Sequence, residues 1–387
     1  MLLGAATSAH QIEGGTYNDW TLWEREGRAP PVGEACNSWE RMEEDVKLLL
    51  EVGANAYRFS LEWGRIEVEE GIFNLKNLLR YRRFVDALLD AGITPILTLH
   101  HFTNPVWFYE SGGWLRGDAP QIFGRYADLL SRYFPDVKFW ITINEPNVYA
   151  YRGYVVGDWP PGERSLSKAM GVIRNMLKAH SEAYAAVKAN VRGASVGMAH
   201  HLRVFTPVGF LGRIPVLLRE YLFNFVPVFS EVSGEIPPPV ALMERIEEGG
   251  DFIGINYYTR DRVKFSLLQP FGVDVPPEGV WRSSLGWEVY PEGLYTLIKR
   301  YNFKRPVLIT ENGIATEDHG ERVRFIREHL KRVRRAREEG LNVVGYMYWS
   351  LMDNYEWLEG YTAKFGIFTR DRKSKGKLNL SEIWLHL

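Results

Sequence analysis

The chain of 387 residues holds one cysteine, Cys36, so no intrachain disulfide can form and no cysteine-based metal site exists. Glutamine occurs only at 11, 121 and 269. Scarce Gln and Cys lean towards a thermophilic source. Net charge is also lacking. The 47 Lys+Arg nearly cancel the 48 Asp+Glu, leaving −1 and no electrostatic case for a nucleic-acid partner. The most basic run, KRVRRAREEG (331–340), interleaves arginines with Val333 and Ala336 and ends in glutamates, so it reads as a solvated helix face. No apolar run reaches the ~18 residues of a spanning helix. The nearest, GFLGRIPVLLREYLFNFVPVF, is broken by Arg213, Arg219 and Glu220. The opening MLLGAATSAHQ lacks a basic segment followed by an apolar core, so it does not read as a signal peptide. A soluble cytoplasmic protein is expected. With no Ser/Pro-rich linker, low-complexity tract or short repeat, residues 1–387 read as a single domain.

Aromatic residues are plentiful: 13 Trp, 20 Tyr and 20 Phe. Most belong to a core. Several Trp, however, stand beside polar clusters: Trp63, Trp107, Trp114, Trp159, Trp287, Trp349 and Trp357. Sugar rings present flat C–H faces that stack on indoles, so a Trp-lined cleft suits a carbohydrate.

Eight short β-rich runs alternate with longer helical patterns. They lie at 2–7, 55–60, 94–99, 138–144, 194–201, 251–258, 306–312 and 343–350. The intervening SWERMEEDVKLLLEVG predicts a helix with Ser38 as N-cap and Gly53 as stop. Strand–helix alternation implies a parallel sheet with right-handed crossovers. Eight units in one chain favour α/β architecture as a closed (β/α)8 barrel of the TIM type. No Gly-rich piece joins a strand to a helix in G-x-G-x-x-G form, which argues against a dinucleotide cofactor.

In such barrels chemistry sits at the C-terminal ends of the strands. The fourth candidate strand ends in Asn144-Glu145, and Pro146 stops the ladder; the seventh ends in Glu311-Asn312-Gly313. Polar residues also end the others: Gln11 and Glu13, Arg58, His100-His101, Asn256 and Tyr258, with Trp349 on the eighth. All are expected to converge on one mouth. Two carboxylates across a sugar-sized mouth fit glycoside hydrolysis, one protonating the leaving oxygen and the other ionised. The competing reading makes them ion-paired structural carboxylates.

The pieces GAATSAHQIEG (4–14), NAYRFSLEW (55–63), TLHHFTNPVW (98–107), TINEPN (142–147), DFIGINYY (251–258), LITENGIA (308–315) and YWSLMDNYEWLEGY (348–361) resemble a glycoside hydrolase family 1 β-glycosidase of β-glucosidase or β-galactosidase type. The resemblance covers nearly the whole chain. It implies that Glu145 is the general acid/base and Glu311 the nucleophile of a retaining double displacement, with carboxyls ~5–5.5 Å apart. It further implies that Arg58 and Tyr258 hold Glu311, and that Asn144 meets the sugar 2-hydroxyl. Gln11, His101, Asn256, Glu356 and Trp357 bind substrate, and Trp349 floors the pocket. The family needs no metal and no cofactor. The partner is a small glycoside or oligosaccharide, and self-association into a homo-oligomer stays open. Glu356 near the 4- and 6-hydroxyls disfavours a 6-phosphate.

Three departures stand out. Phe102 replaces the Trp of most members, as in an archaeal branch, and implies altered selectivity. The stretch 202–250 is short and apolar; it is expected to supply an ordinary barrel helix, the alternatives being a wall of the aglycone side or a membrane contact. The tail KSKGKLNLSEIWLHL departs from the family's ending, so the last helix is expected to be short or atypical. A sugar-binding barrel that has lost turnover remains the alternative from another class. A metal-dependent hydrolase fails on ligand spacing.

Overall fold

The computed structural model describes residues 1–247 and 249–387. Eight parallel strands close into a barrel: β1 (Leu2–Ala6), β2 (Ala56–Ser60), β3 (Thr94–His100), β4 (Phe139–Asn144), β5 (Ser195–His201), β6 (Ile253–Tyr257), β7 (Val307–Asn312) and β8 (Val343–Trp349). Each pairs with its sequence neighbours, and β8 returns to β1. The strands coincide with the eight expected runs to within two residues at either end.

Helices cover the outside: α1 (Ser38–Glu51), α2 (Leu75–Asp90), α3 (Ala119–Tyr133), α4 (Leu166–Asn190), α5 (Val226–Ser233), α6 (Pro291–Tyr301), α7 (His319–Glu338) and α8 (Leu380–Leu385). Their buried residues recur at helical spacing, as with Ile122, Phe123, Tyr126, Ala127 and Leu130 on α3. They pack on the outward residues of the strands, such as Tyr57, Leu97, Ile143, Ile255 and Ile309. The alternate residues Ala6, Ala56, Ile96, Ile141, Ala199, Leu308 and Met347 form a separate core. That core is the interior of the barrel, and it plugs the floor beneath the mouth.

Local expectations gave way in three places. Ser38 is not the cap of α1 but its first residue; Asn37 precedes it in a left-handed conformation without a side-chain cap. The Ser38 hydroxyl instead accepts from Arg372 Nη2 at 3.0 Å. Arg372 is a buried cation held by Asp45 at 2.7 Å, and its need for acceptors outranks a local cap. Gly53 does stop the helix, at φ +64°. Second, only half of the apolar stretch is a barrel helix. A helical run from Arg213 reaches α5 through a π-helical turn, Glu220–Phe225. α5 buries Val226 and Val228, whereas Phe210, Leu211, Ile214, Leu217 and Leu218 face outward. The outer run lies against a small sheet of Val204–Val208, Arg260–Lys264 and Val273–Asp274. Among the described residues no helix is long and apolar enough to cross a membrane. Third, Trp63 and Trp114 are packed in the outer core rather than in a cleft, and Trp107 Nε1 donates to the Glu67 carbonyl at 3.0 Å.

The tail forms the short helix that was expected. Asn379 caps α8 by accepting from the Glu382 N–H at 3.0 Å. Leu380 is buried, and Ser381 donates to the Gly53 carbonyl at 2.6 Å.

Candidate active site

The strands that carry the two glutamates share a device. β4 shifts register between Ile141 and Asn144, and β7 between Ile309 and Asn312. A bulge breaks the strict in–out alternation and re-aims the residues after it. Beyond the β4 bulge, Glu145 turns left-handed at φ +45°, ψ +59°, and Pro146 opens the short helix Pro146–Ala150 at its first turn. Phe102 (φ +71°) and Trp357 (φ +53°) are also left-handed at the mouth. Each non-glycine residue held so costs about 1–3 kcal/mol, and such strain collects at functional sites. On β7 the chain passes so close to β8 that a Cβ on Gly313 would lie 2.0 Å from the Trp349 carbonyl oxygen. Only glycine allows that approach.

Arg58 stands at the centre. It is fully buried, and every nitrogen has an acceptor. Nε donates to Thr98 Oγ1 at 3.0 Å; Nη1 donates to the Thr310 carbonyl at 3.2 Å and to Glu311 Oε1 at 2.5 Å; Nη2 donates to Asn144 Oδ1 at 2.6 Å. The Tyr258 hydroxyl donates to Glu311 Oε2 at 2.5 Å. Asn256 Nδ2 bridges Asn144 Oδ1 at 3.0 Å and Glu145 Oε1 at 2.7 Å, while its own Oδ1 accepts from Thr310 Oγ1 at 2.6 Å. One continuous network therefore links Glu145 to Glu311 through Asn256, Asn144 and Arg58. His201 Nδ1 lies 3.0 Å from the same Glu145 Oε1. Neither bond to Glu145 uses Oε2.

The electrostatics follow from these partners. Burial, opposed by Arg58 and reinforced by the Glu145 charge, pushes the Glu311 carboxyl up to about 7. Two carboxyls so coupled titrate as a pair, and that last proton belongs to both. Glu311 has a permanent cation and a phenol against it, whereas Asn256 is neutral. For Glu145, burial raises the carboxyl, and His201, the Asn256 donor and Arg58 together bring it below the usual range. Arg203 Nε, 3.1 Å from His201 Nε2, opposes a charge on that imidazole.

Around this pair the expected sugar-binding residues assemble. Trp349 Nε1 donates to Glu356 Oε1 at 2.9 Å, and Trp349 stacks with His101 at 5.8 Å between ring centroids. Burial pushes Glu356 up to about 8, against donation from Trp349 and Gln11. Gln11 is fixed by donating to the Tyr355 carbonyl at 2.6 Å and accepting from Ser8 at 2.6 Å. His101 Nε2 is 3.4 Å from Asn144 Nδ2, and its buried Nδ1 has no partner. Burial holds His101 well below its usual value, so it stays neutral. Trp357 packs among Trp20, Phe102 and Trp159 with centroids 4.6–5.4 Å away. Two residues expected at the mouth serve elsewhere. Glu13 accepts from Arg65 at 3.0 Å and Tyr81 at 2.7 Å, and His100 Nε2 meets Asn104 Oδ1 at 3.1 Å. Among the described residues no group of His, Cys, Asp or Glu is arranged to hold a metal ion.

Sequence reasoning missed Thr98, Thr310 and His201. Their only signal was position, since each lies near the C-terminal end of a strand.

The family model for glycosyl hydrolase family 1 matches residues 1–211 and 239–382. The unmatched 212–238 is the apolar helical run. A 1,4-beta-D-glucan glucohydrolase of Thermotoga neapolitana is 33% identical over 97% of this chain and 98% of its own. A beta-glycosidase from Pyrococcus horikoshii superposes with TM-score 0.90 and 39% identity, covering 100% of this chain and 92% of that one. A beta-glucosidase from Thermotoga maritima, solved in complex with cyclophellitol, gives TM-score 0.90 and 31% identity over 100% of this chain and 96% of that one. With the barrel, the two linked carboxyls and these matches along its length, the chain belongs to glycosyl hydrolase family 1 and is a glycosidase.

Proposed function

We propose that this glycosidase hydrolyses unphosphorylated β-glucosides and β-galactosides, with retention, through a covalent glycosyl-enzyme. The observation that carries the proposal is the unequal company of the two carboxyls. Glu311 faces a guanidinium and a phenol, and Glu145 meets Asn256 and His201 through Oε1 alone. Glu311 attacks the anomeric carbon as Glu145 gives its proton from Oε2 to the departing oxygen. The ester that forms removes the negative charge of Glu311. Glu145, now a carboxylate, takes a proton from water as that water attacks the same carbon. Asn144 Nδ2, which meets His101 Nε2 at a long 3.4 Å, binds the 2-hydroxyl. No cofactor enters either step. Among the described residues the groups that act most on Glu356 are neutral donors and the Glu311 carboxylate, which suits a neutral 6-hydroxyl better than a 6-phosphate. We place this activity in the cytoplasm.

Two assays test the reading. Glu311→Gly should be nearly inactive on nitrophenyl glucoside, and azide should restore turnover by entering the vacated nucleophile position to give the α-glycosyl azide. Failure of azide to restore it, or a β-azide product, contradicts the nucleophile assignment. Preference of the wild type for nitrophenyl glucoside 6-phosphate contradicts the substrate class.

A further inference from the structure

His201, at the end of β5, lies between Glu145 and a fixed cation. Arg203 donates through Nε to His201 Nε2 at 3.1 Å and through Nη1 to both oxygens of Asp261 at 3.0 Å. Arg203 is itself anchored. Asn224, in the π-helical turn, accepts from its N–H at 3.1 Å and donates to its carbonyl at 2.8 Å. Asn147, one residue past Pro146, donates to the His201 carbonyl at 2.8 Å. An arginine has donors only, so a nitrogen that accepts from it carries no hydrogen. These partners assign the tautomer: Nε2 is bare and Nδ1–H donates to Glu145 Oε1. The charged and titratable groups facing this imidazole are Glu145, Arg203 and Tyr258, whose ring stacks on it at 5.8 Å. Asp261 and Arg219 stand behind Arg203, and Arg58 and Glu311 behind Glu145.

We propose that Arg203, by filling Nε2, fixes His201 as a positioning residue whose Nδ1–H holds Oε1 of Glu145 and leaves the proton on Oε2, facing the glycosidic oxygen. A second proton on the imidazole would turn a neutral donor into a counter-ion. The pair would then become imidazolium and carboxylate, and the acid would be spent before substrate arrived. The Arg203–Asp261 pair blocks this by filling the second nitrogen. The inference rests on Glu145 being the acid/base.

The test compares Arg203→Met, His201→Asn, His201→Leu and the double variant Arg203→Met/His201→Asn. It reads the pH profile of kcat/KM on methyl glucoside and dinitrophenyl glucoside. Arg203→Met frees Nε2, and an adjacent cation lowers a carboxyl by about 1–3 units. Its alkaline limb should therefore move down by about one unit or more. Methyl glucoside should lose ten- to hundredfold, and dinitrophenyl glucoside much less. Asn keeps a donor but cannot titrate, so the double variant should return the limb to the position it has in His201→Asn. An unmoved limb in folded Arg203→Met, or a lowered limb persisting in the double variant, overturns the proposal. Should Arg203→Met fail to fold, the comparison at 201 decides. His201→Asn should exceed His201→Leu at least tenfold on methyl glucoside, and equality overturns the proposal. An error in the acid/base reading would show separately, as a Glu145→Gln defect that ignores the leaving group.

Discussion

Replacing Glu145 with Gln isolates one proton. The amide keeps an oxygen where Oε1 accepts from Asn256 at 2.7 Å and faces His201 Nδ1 at 3.0 Å, so the side chain should stay in place. Its NH2 falls where Oε2 was, and it can neither give a proton to a leaving alkoxide nor take one from water. General acid catalysis contributes about 10²–10⁴-fold, which at about 1.36 kcal/mol per decade is about 2.7–5.4 kcal/mol. That loss should fall wholly on kcat/KM for methyl glucoside, whose leaving alkoxide is strongly basic. Dinitrophenolate departs unaided, so its kcat/KM should stay within about tenfold of wild type, by the same Brønsted reasoning. Its kcat should fall, because the glycosyl-enzyme now lacks a base. Azide, which needs none, should restore turnover from the β face and yield β-glycosyl azide. Stopped-flow release of dinitrophenol would show a burst followed by a slow steady state. Equal losses on both substrates, with no burst and no azide product, would refute the assignment of Glu145.

Further outcomes follow from the same geometry. The proton shared by Glu145 and Glu311 is lost as pH rises through about 7. The rate kcat/KM should therefore fall tenfold per unit above that point, and Glu145→Gln should abolish that limb. Arg58→Met leaves Glu311 buried without its cation; denaturant melts should show a loss of about 3–5 kcal/mol, and activity should fall at least about 100-fold. Gly313→Ala drives a methyl against the Trp349 carbonyl. A loss of about 1–3 kcal/mol is expected, with a lower kcat, because Trp349 holds Glu356.

The barrel was legible because its signals are local. Alternation in KFWITIN and PVLITEN, turn residues after each run, and proline directly after Glu145 can all be read along the chain. The register shifts on β4 and β7 were not legible, because a bulge is defined by the partner strand. The left-handed backbone of Glu145 was hidden for the same reason. His201 carried no signal beyond its position, since Asp261 and the fixed Arg203 side chain reach it only after β5 and the outer sheet fold together. Ser38 misled because its acceptor is claimed by Arg372, more than 300 residues away in sequence. Trp63 and Trp114 misled because neighbouring polar residues say nothing of depth.

In the proposed mechanism one carboxyl attacks carbon while the other handles the proton. Proton NMR of the first-formed sugar during hydrolysis of a β-glucoside tests this directly. Two displacements predict the β-anomer appearing first, with the α-anomer growing in only at the rate of mutarotation. The α-anomer appearing first would mean a single displacement by water, and would remove Glu311 as a nucleophile.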